Sequence, residues 1–265
     1  MGCGVVMSLP AHALPDVWRA SELAWQSGRV LPTGHAALDA ALPGGGWPVG
    51  GMSELLQAPG VHAEWGLLAP ALSQLAAQAL RPVRSSVVLI GAPFVPFGPA
   101  LAARSCAPGA LLQVQVDGLS DRLWAAEQAL RCADVPAVLL WLGAVAAAHL
   151  RRLQTLAQEH SRLLFVCRPP AARQEASPAP LRLLLGWPAP AAREGGGQPP
   201  ALQVEVFKRR GPPLAEPLLL QMQPSALQHL LAASHAQARR RRARLVQTLA
   251  LAEVPDAVDR AQSLA

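Results

Sequence analysis

Short apolar runs alternate with longer amphipathic segments through the first two thirds of the chain. Each apolar run is bounded by glycine, proline or polar residues, as expected of strands that are buried on both faces. Five such runs predict strands, at residues 52–57, 86–91, 111–116, 136–142 and 163–167. Helices are predicted between them at about 65–80, 98–105, 119–132 and 146–160, the third with Ser120 as its N-cap. This alternation is typical of an α/β fold in which helices flank a mostly parallel sheet.

The pattern changes after Pro169. Three further strands are predicted at 181–187, 201–208 and 214–222, with no helical period between them and with Pro/Gly-rich separators. An antiparallel extension of the sheet fits this part of the chain best. We therefore expect three regions: an N-terminal segment at 1–29 with a helix around 16–27, a core at 30–222, and an arginine-rich helix with a flexible tail at 223–265.

Composition narrows the class of protein. The chain has 265 residues, of which 51% are hydrophobic and 15% charged, so it can bury a sizeable core. No run of about 18 uninterrupted apolar residues occurs, and we expect no membrane span. Four widely spaced cysteines without a CxxC pair are typical of reduced thiols in the cytoplasm. The seven histidines show no ligand spacing, so no metal site is expected.

The charge balance allows two interpretations. A formal net charge of +6 would attract DNA, RNA or an acidic protein surface. The 23 basic residues include a single lysine, Lys208, and such a preference for arginine is equally explained by a compositional bias of the genome. Both interpretations stay open at this point.

Two basic clusters are candidates for contact with DNA or a protein partner. The first comprises Arg239, Arg240, Arg241, Arg242 and Arg244 on the predicted C-terminal helix. It could bind phosphates, it could dock through its apolar flanks, or it could be a solvated helix. The second comprises Lys208, Arg209 and Arg210 beside Gly211, in a predicted turn between two strands. It could contact a phosphate or a neighbouring subunit, or it could be an exposed hairpin.

The tryptophans are more numerous than the other aromatic residues, with seven Trp, four Phe and no Tyr. Trp124 falls in a predicted helix and Trp141 in a predicted strand. Because large aromatic side chains bury much apolar area, we expect both to pack in the core.

Residues 31–50 resemble the segment that enters the first core strand of RecA-type recombinases. That family carries Thr-Gly, then Leu-Asp and Ala-Leu, then Gly-Gly, Pro and Gly. The same elements occur here in the same order between Thr33 and Gly50, and the predicted strand at 52–57 follows directly. The resemblance implies a RecA-like core.

The catalytic elements of that family are missing. A P-loop of the form Gly-x-x-x-x-Gly-Lys-Thr would follow the first strand, and the chain instead has a degenerate loop that includes Gln57, Pro59, Gly60, Glu64 and Gly66. It lacks the phosphate-binding lysine and the Mg²⁺-binding hydroxyl, and Glu64 would repel phosphate. The segments 91–94 and 139–143 also lack the catalytic glutamate and the acidic residue that the family places there. We expect neither a nucleotide cofactor nor enzymatic activity.

A degenerate core of this length, with Leu123–Arg131 preceding an apolar strand, resembles the bacterial ImuA family over roughly residues 15–222. That resemblance implies a RecA-like accessory protein of the SOS response to DNA damage, acting in mutagenic translesion synthesis. Its implied partners are an ImuB-type inactive relative of Y-family polymerases, RecA, an error-prone C-family polymerase and DNA. The group is also similar to SulA, and a cell-division inhibitor acting on FtsZ stays open as the alternative.

Overall fold

An eight-stranded, mostly parallel sheet organises the part of the chain that the structure describes. The computed structural model describes residues 28–78, 86–187, 201–212 and 214–222, together with Gln237. In spatial order the strands of the sheet are β10 (Leu218–Gln221), β9 (Ala201–Lys208), β8 (Leu181–Gly186), β3 (Met52–Gln57), β7 (Leu163–Arg168), β6 (Ala137–Trp141), β4 (Val87–Ile90) and β5 (Leu111–Val114). The strand pairs β3–β7, β3–β8, β7–β6, β6–β4 and β4–β5 are parallel, and β8–β9 is antiparallel.

The strands are short and lie where apolar runs occur in the sequence. A separate antiparallel pair, β1 (Val30–Leu31) and β2 (Trp47–Pro48), precedes the sheet in the sequence. All residues of β3, β4, β6 and β7 are buried, as expected of central parallel strands.

Helices cover the sheet. They are α1 (Ala36–Ala41), α2 (Glu64–Gln78), α3 (Gly98–Ala102), α4 (Leu119–Arg131) and α5 (Ala147–Glu159), with short 3₁₀ segments at Pro43–Gly45, Pro108–Ala110 and Pro170–Gln174. On one face, Leu123 and Leu130 of α4 and Leu150 of α5 pack in a cluster with Leu164 and Val166 of β7. Phe165 lies between these two strand residues and therefore points to the other face, where its ring meets Trp47 edge to face at 5.2 Å.

The predicted α/β class, the parallel core and the antiparallel extension are confirmed. Two local predictions are wrong. Helix α4 begins at Leu119 with Gly118 as its N-cap, so Ser120 lies inside the first turn. A Cβ atom at Gly118 would lie 3.1 Å from a carboxylate oxygen of Asp121, which takes the space that a capping side chain would need.

Trp124 is the second wrong prediction, because it is 66% exposed. The buried stripe of α4 runs through Leu123, Ala126 and Leu130, and Trp124 lies about 100° around the helix from Leu123. Trp141 is buried, as predicted.

The chain divides into two units, Met1–Gly186 with Gln203–Leu220, and Trp187–Leu202 with Gln221–Ala265. Most of the second unit lies outside the described residues, as do the predicted N-terminal helix at 16–27 and, apart from Gln237, the predicted arginine-rich helix and tail. In the described ranges, no helix combines the length and apolar character needed to cross a bilayer. The site described next lies in the first unit.

Candidate functional site

A cleft of about 730 Å³ opens at the carboxyl ends of the parallel strands. The ends of five strands and the segments that follow them line it, namely residues 57–62 at the end of β3, 91–94 after β4, 115–117 after β5, 141–142 at the end of β6 and 167–169 at the end of β7. Strands β4 and β6 are neighbours in the sheet, and the strands that follow them in sequence lie on opposite sides of this pair: β5 beside β4, and β7 beside β6. Such a divergence between neighbouring parallel strands is where open α/β sheets bind their ligands. The cleft is therefore the candidate functional site.

The amino end of α2, which borders the cleft, is occupied by a carboxylate of the chain itself. Glu64 is the first residue of α2 and is 1% exposed. Gln57, the last residue of β3, donates from Nε2 to Glu64 Oε2 at 2.7 Å, and its Oε1 accepts from the backbone N–H of Ala63 at 3.2 Å. His62 Nδ1 lies 3.5 Å from Glu64 Oε1. A negative charge therefore already stands at the positive end of the helix dipole.

The structure brings together only part of the predicted degenerate P-loop. Gln57 and Glu64 contact each other, and Pro59 and Gly60 line the cleft. Gly60 has a positive φ of 80° and no atom near its missing Cβ, so its backbone turn rather than crowding favours glycine. Gly66 lies inside α2 and does not line the cleft.

Arg122 is a cleft residue that the sequence analysis missed. Its Nε donates to the carbonyl of Val116 at 3.0 Å, and its Nη1 donates to the carbonyl of Trp141 at 3.2 Å. Gly91 makes room for this arrangement, because a Cβ atom there would lie 2.7 Å from Arg122 Nε. Gly91 also has a positive φ of 65°. The two carbonyls thus fix a guanidinium group at the divergence between β4 and β6.

A buried ion network lies beside the cleft. Glu54 of β3, which is fully buried, accepts from Arg168 Nη1 of β7 at 3.5 Å and from Arg182 Nε of β8 at 2.5 Å. Arg168 also bonds Glu175 at 2.5 Å, and Arg182 donates to the carbonyl of Ala172 at 2.6 Å. The network ties three adjacent strands to the 3₁₀ segment after β7, and the sequence analysis did not find it.

Cys167 lines the cleft next to this network. Burial, reinforced by the negative charge of nearby Glu64, raises the pKa of the Cys167 thiol well above its ordinary value. The thiol is therefore protonated at neutral pH and is a poor nucleophile.

A second, smaller pocket of about 220 Å³ adjoins the cleft and shares His62, Pro93, Phe94 and Trp141 with it. The loop 93–97, which follows β4, forms its rim. The ring of Phe94 meets the ring of His62 edge to face at 5.1 Å. Phe94, Val95 and Phe97 are nevertheless 67%, 72% and 71% exposed. The mouth of the site is therefore strongly apolar.

The basic turn predicted as a contact site lies at the other end of the sheet. Lys208, the last residue of β9, is paired with Arg182 near the amino end of β8, and it donates to the carbonyl of Ser177 at 2.7 Å. Arg209 donates to the carbonyls of Pro212 and Ala41, and Arg210 is half-buried. Partial burial, with the positive charge of Arg182, lowers the pKa of Lys208. Lys208 and Arg209 thus bond backbone carbonyls of the chain, and none of the three basic residues lines the cleft.

The second predicted basic cluster, Arg239 to Arg242 with Arg244, lies outside the described residues. Across the described ranges, no group of three or more His, Cys, Asp or Glu side chains is arranged to hold a metal ion.

No protein-family model matches the chain, and no curated protein matches it significantly.

Proposed function

We propose that the chain is a non-catalytic, RecA-like accessory protein of SOS-induced translesion DNA synthesis, of the ImuA type. It would act through contacts with proteins, and with DNA through Arg239–Arg242 and Arg244, in assembling the mutagenic polymerase complex. The resemblance of residues 31–50 to the RecA entry segment and of Leu123–Arg131 to ImuA supports the assignment. The structural observation that carries the non-catalytic part is the position of Glu64.

A nucleotide triphosphate in this cleft would need free backbone N–H groups and a cation at the start of α2. The Ala63 N–H is already bonded to Gln57 Oε1, and the buried carboxylate of Glu64 stands at the start of α2. That carboxylate already takes up the positive end of the helix dipole, which would otherwise attract phosphate. The chain offers no lysine there to bind a phosphate in its place. These features favour a cleft that does not bind ATP.

A protein without nucleotide chemistry can still work as a scaffold. The partners that follow from the proposal are the ImuB-type polymerase relative, RecA and the C-family polymerase. The C-terminal arginine cluster is the proposed element for DNA or partner binding.

The test is a pull-down of the purified full chain against the ImuB-type protein and against RecA. We expect binding to at least one of them. A variant in which Arg239, Arg240, Arg241, Arg242 and Arg244 are all changed to Gln reports on the tail, and Arg151→Gln, an exposed arginine of α5, serves as the control. Absence of binding to both partners would contradict the proposal.

A further inference from the structure

The loop after β4 presents apolar side chains to solvent in an unusual way. Phe94, Val95 and Phe97 are all more than 60% exposed and are consecutive but for Pro96. Pro93 and Pro96 fix two backbone φ angles, so the loop loses little conformational entropy on binding. Exposed aromatic side chains that are held rigidly are characteristic of the anchors of protein–protein interfaces.

The two pockets beside this loop differ in size. The cleft, at about 730 Å³, falls in the range of roughly 300–1,000 Å³ that is usual for ligand sites. The adjoining pocket, at about 220 Å³, is below that range and suits a single apolar side chain. Because exposed aromatic side chains are typical of protein interfaces, the exposure of Phe94 and Phe97 favours a protein segment that lies across both pockets.

The charge of the cleft indicates what kind of segment it would accept. Arg122 is held by two carbonyls and, unlike Arg168 and Arg182, has no carboxylate partner among the described residues. A guanidinium group fixed in this way is prepared to accept a carboxylate. Glu64 lines the side pocket, but it is 1% exposed and accepts a hydrogen bond from Gln57, so it offers an incoming segment almost no exposed charge. Asp117 is the exposed carboxylate at the cleft rim, and it lies outside the Phe94–Phe97 pocket.

We propose that the cleft and its side pocket dock an acidic segment of a partner protein. An apolar side chain of that segment packs against Phe94, Val95 and Phe97, and a neighbouring carboxylate pairs with Arg122. This inference rests on the proposed function in one respect only, namely that no nucleotide occupies the cleft.

The experiment selects short random peptides displayed on phage against the full chain and measures the selected peptides by fluorescence polarisation. We expect the selected peptides to share an aromatic or large aliphatic residue close to Asp or Glu. The changes Phe97→Ala and Arg122→Gln should each raise the Kd by about tenfold or more. Trp124→Ala is the matched control, because Trp124 is as exposed as Phe94 but lines neither pocket, and it should leave the Kd unchanged.

Val95→Asp provides a variant that does not depend on the packing around Arg122. Val95 is 72% exposed, so this change should leave the thermal unfolding unchanged while it repels an acidic peptide. The inference is overturned if no peptide is selected, if the selected peptides are basic, or if Phe97→Ala and Val95→Asp bind as the control does. Excess Mg·ATP distinguishes failure of this inference from failure of the proposed function. Displacement of a bound peptide by ATP would contradict the proposed function. Absence of peptide binding, with no binding of ATP either, would contradict only this inference.

Discussion

Two glutamates, ten residues apart in the sequence, are both almost fully buried and have opposite kinds of partner. Glu54 lies in β3 between two arginines, Arg168 and Arg182, which come from the strands on either side. Glu64 lies at the start of α2 and is held by the neutral amide of Gln57, with Nδ1 of partly exposed His62 3.5 Å from its carboxylate. The negative charge of Glu54 is compensated by two guanidinium groups, whereas that of Glu64 is stabilised by the amino end of α2.

The difference indicates two roles for the same side chain. A buried carboxylate between guanidinium groups holds strands in register. Removing one partner leaves the remaining groups buried with a charge that is not compensated. A carboxylate at a helix N-terminus takes the place that an external anion would otherwise occupy. Glu54 is therefore assigned to the fold, and under the proposed function Glu64 is the group that disfavours nucleotide binding.

The largest expected effect is on stability, from Glu54→Gln. This change leaves Arg168 and Arg182 buried without their shared counter-charge, and we expect a loss of about 3–5 kcal/mol in the free energy of unfolding. Chemical denaturation measures it. Glu175→Gln is the control on the same arginine, because Glu175 is 43% exposed and its loss should cost about 1 kcal/mol or less. Equal losses for the two variants would contradict the distinction between buried and exposed partners.

Glu64→Ala should cost less, about 2 kcal/mol, because it leaves the Gln57 amide without its acceptor but strands no buried positive charge. The same denaturation experiment applies, with Glu216→Ala in an exposed loop as the control. A cost equal to that of Glu54→Gln would show that the two glutamates do not differ as described.

His35 extends the comparison to a partly buried base whose hydrogen-bond partner is a neutral carbonyl. Its Nε2 donates to the carbonyl of Leu67 at 3.2 Å, and burial lowers its pKa below the ordinary 6.5. Below pH 6.5 the unfolded chain binds a proton at this histidine more readily than the folded chain does. The free energy of unfolding is therefore unaffected by His35 protonation above pH 6.5 and decreases as the pH drops below that value. Relative to His35→Gln, the wild type should lose at most about 1.4 kcal/mol per pH unit there. Parallel pH profiles of the two proteins would contradict this.

The smallest effect is expected for Glu205, which repeats the chemistry of Glu54 at the surface. Both of its oxygens accept from Arg173, at 2.8 and 2.6 Å, and this contact lowers the Glu205 pKa. Glu205→Gln should cost about 0.5 kcal/mol, since the pair is exposed and screened. The lowered pKa means that this contribution is present above about pH 4.5 and disappears as the pH falls through the folded pKa. Thermal unfolding at low and high salt measures it, and a loss above 2 kcal/mol would be inconsistent with exposure.

Much of the fold follows from local patterns in the sequence. The strand predicted at 52–57 is β3 at Met52–Gln57, because apolar runs bounded by turn residues report burial directly. From the position of Glu64 after that strand, the sequence also predicts that this carboxylate disfavours phosphate binding. The Glu54 network could not, since its arginines lie 114 and 128 residues away and meet it only through the strand order. Arg122 was missed for the same reason, because its carbonyl partner on β6 is fixed by the sheet.

The proposed function is tested most directly by whether the cleft binds nucleotide. Titration of Mg·ATP into the full chain, followed by calorimetry and by release of phosphate, answers this with an active RecA protein as the positive control. We expect no saturable heat of binding and no phosphate release, because Glu64 and Gln57 occupy the start of α2. Saturable binding with hydrolysis would contradict the proposal that this chain has no nucleotide chemistry.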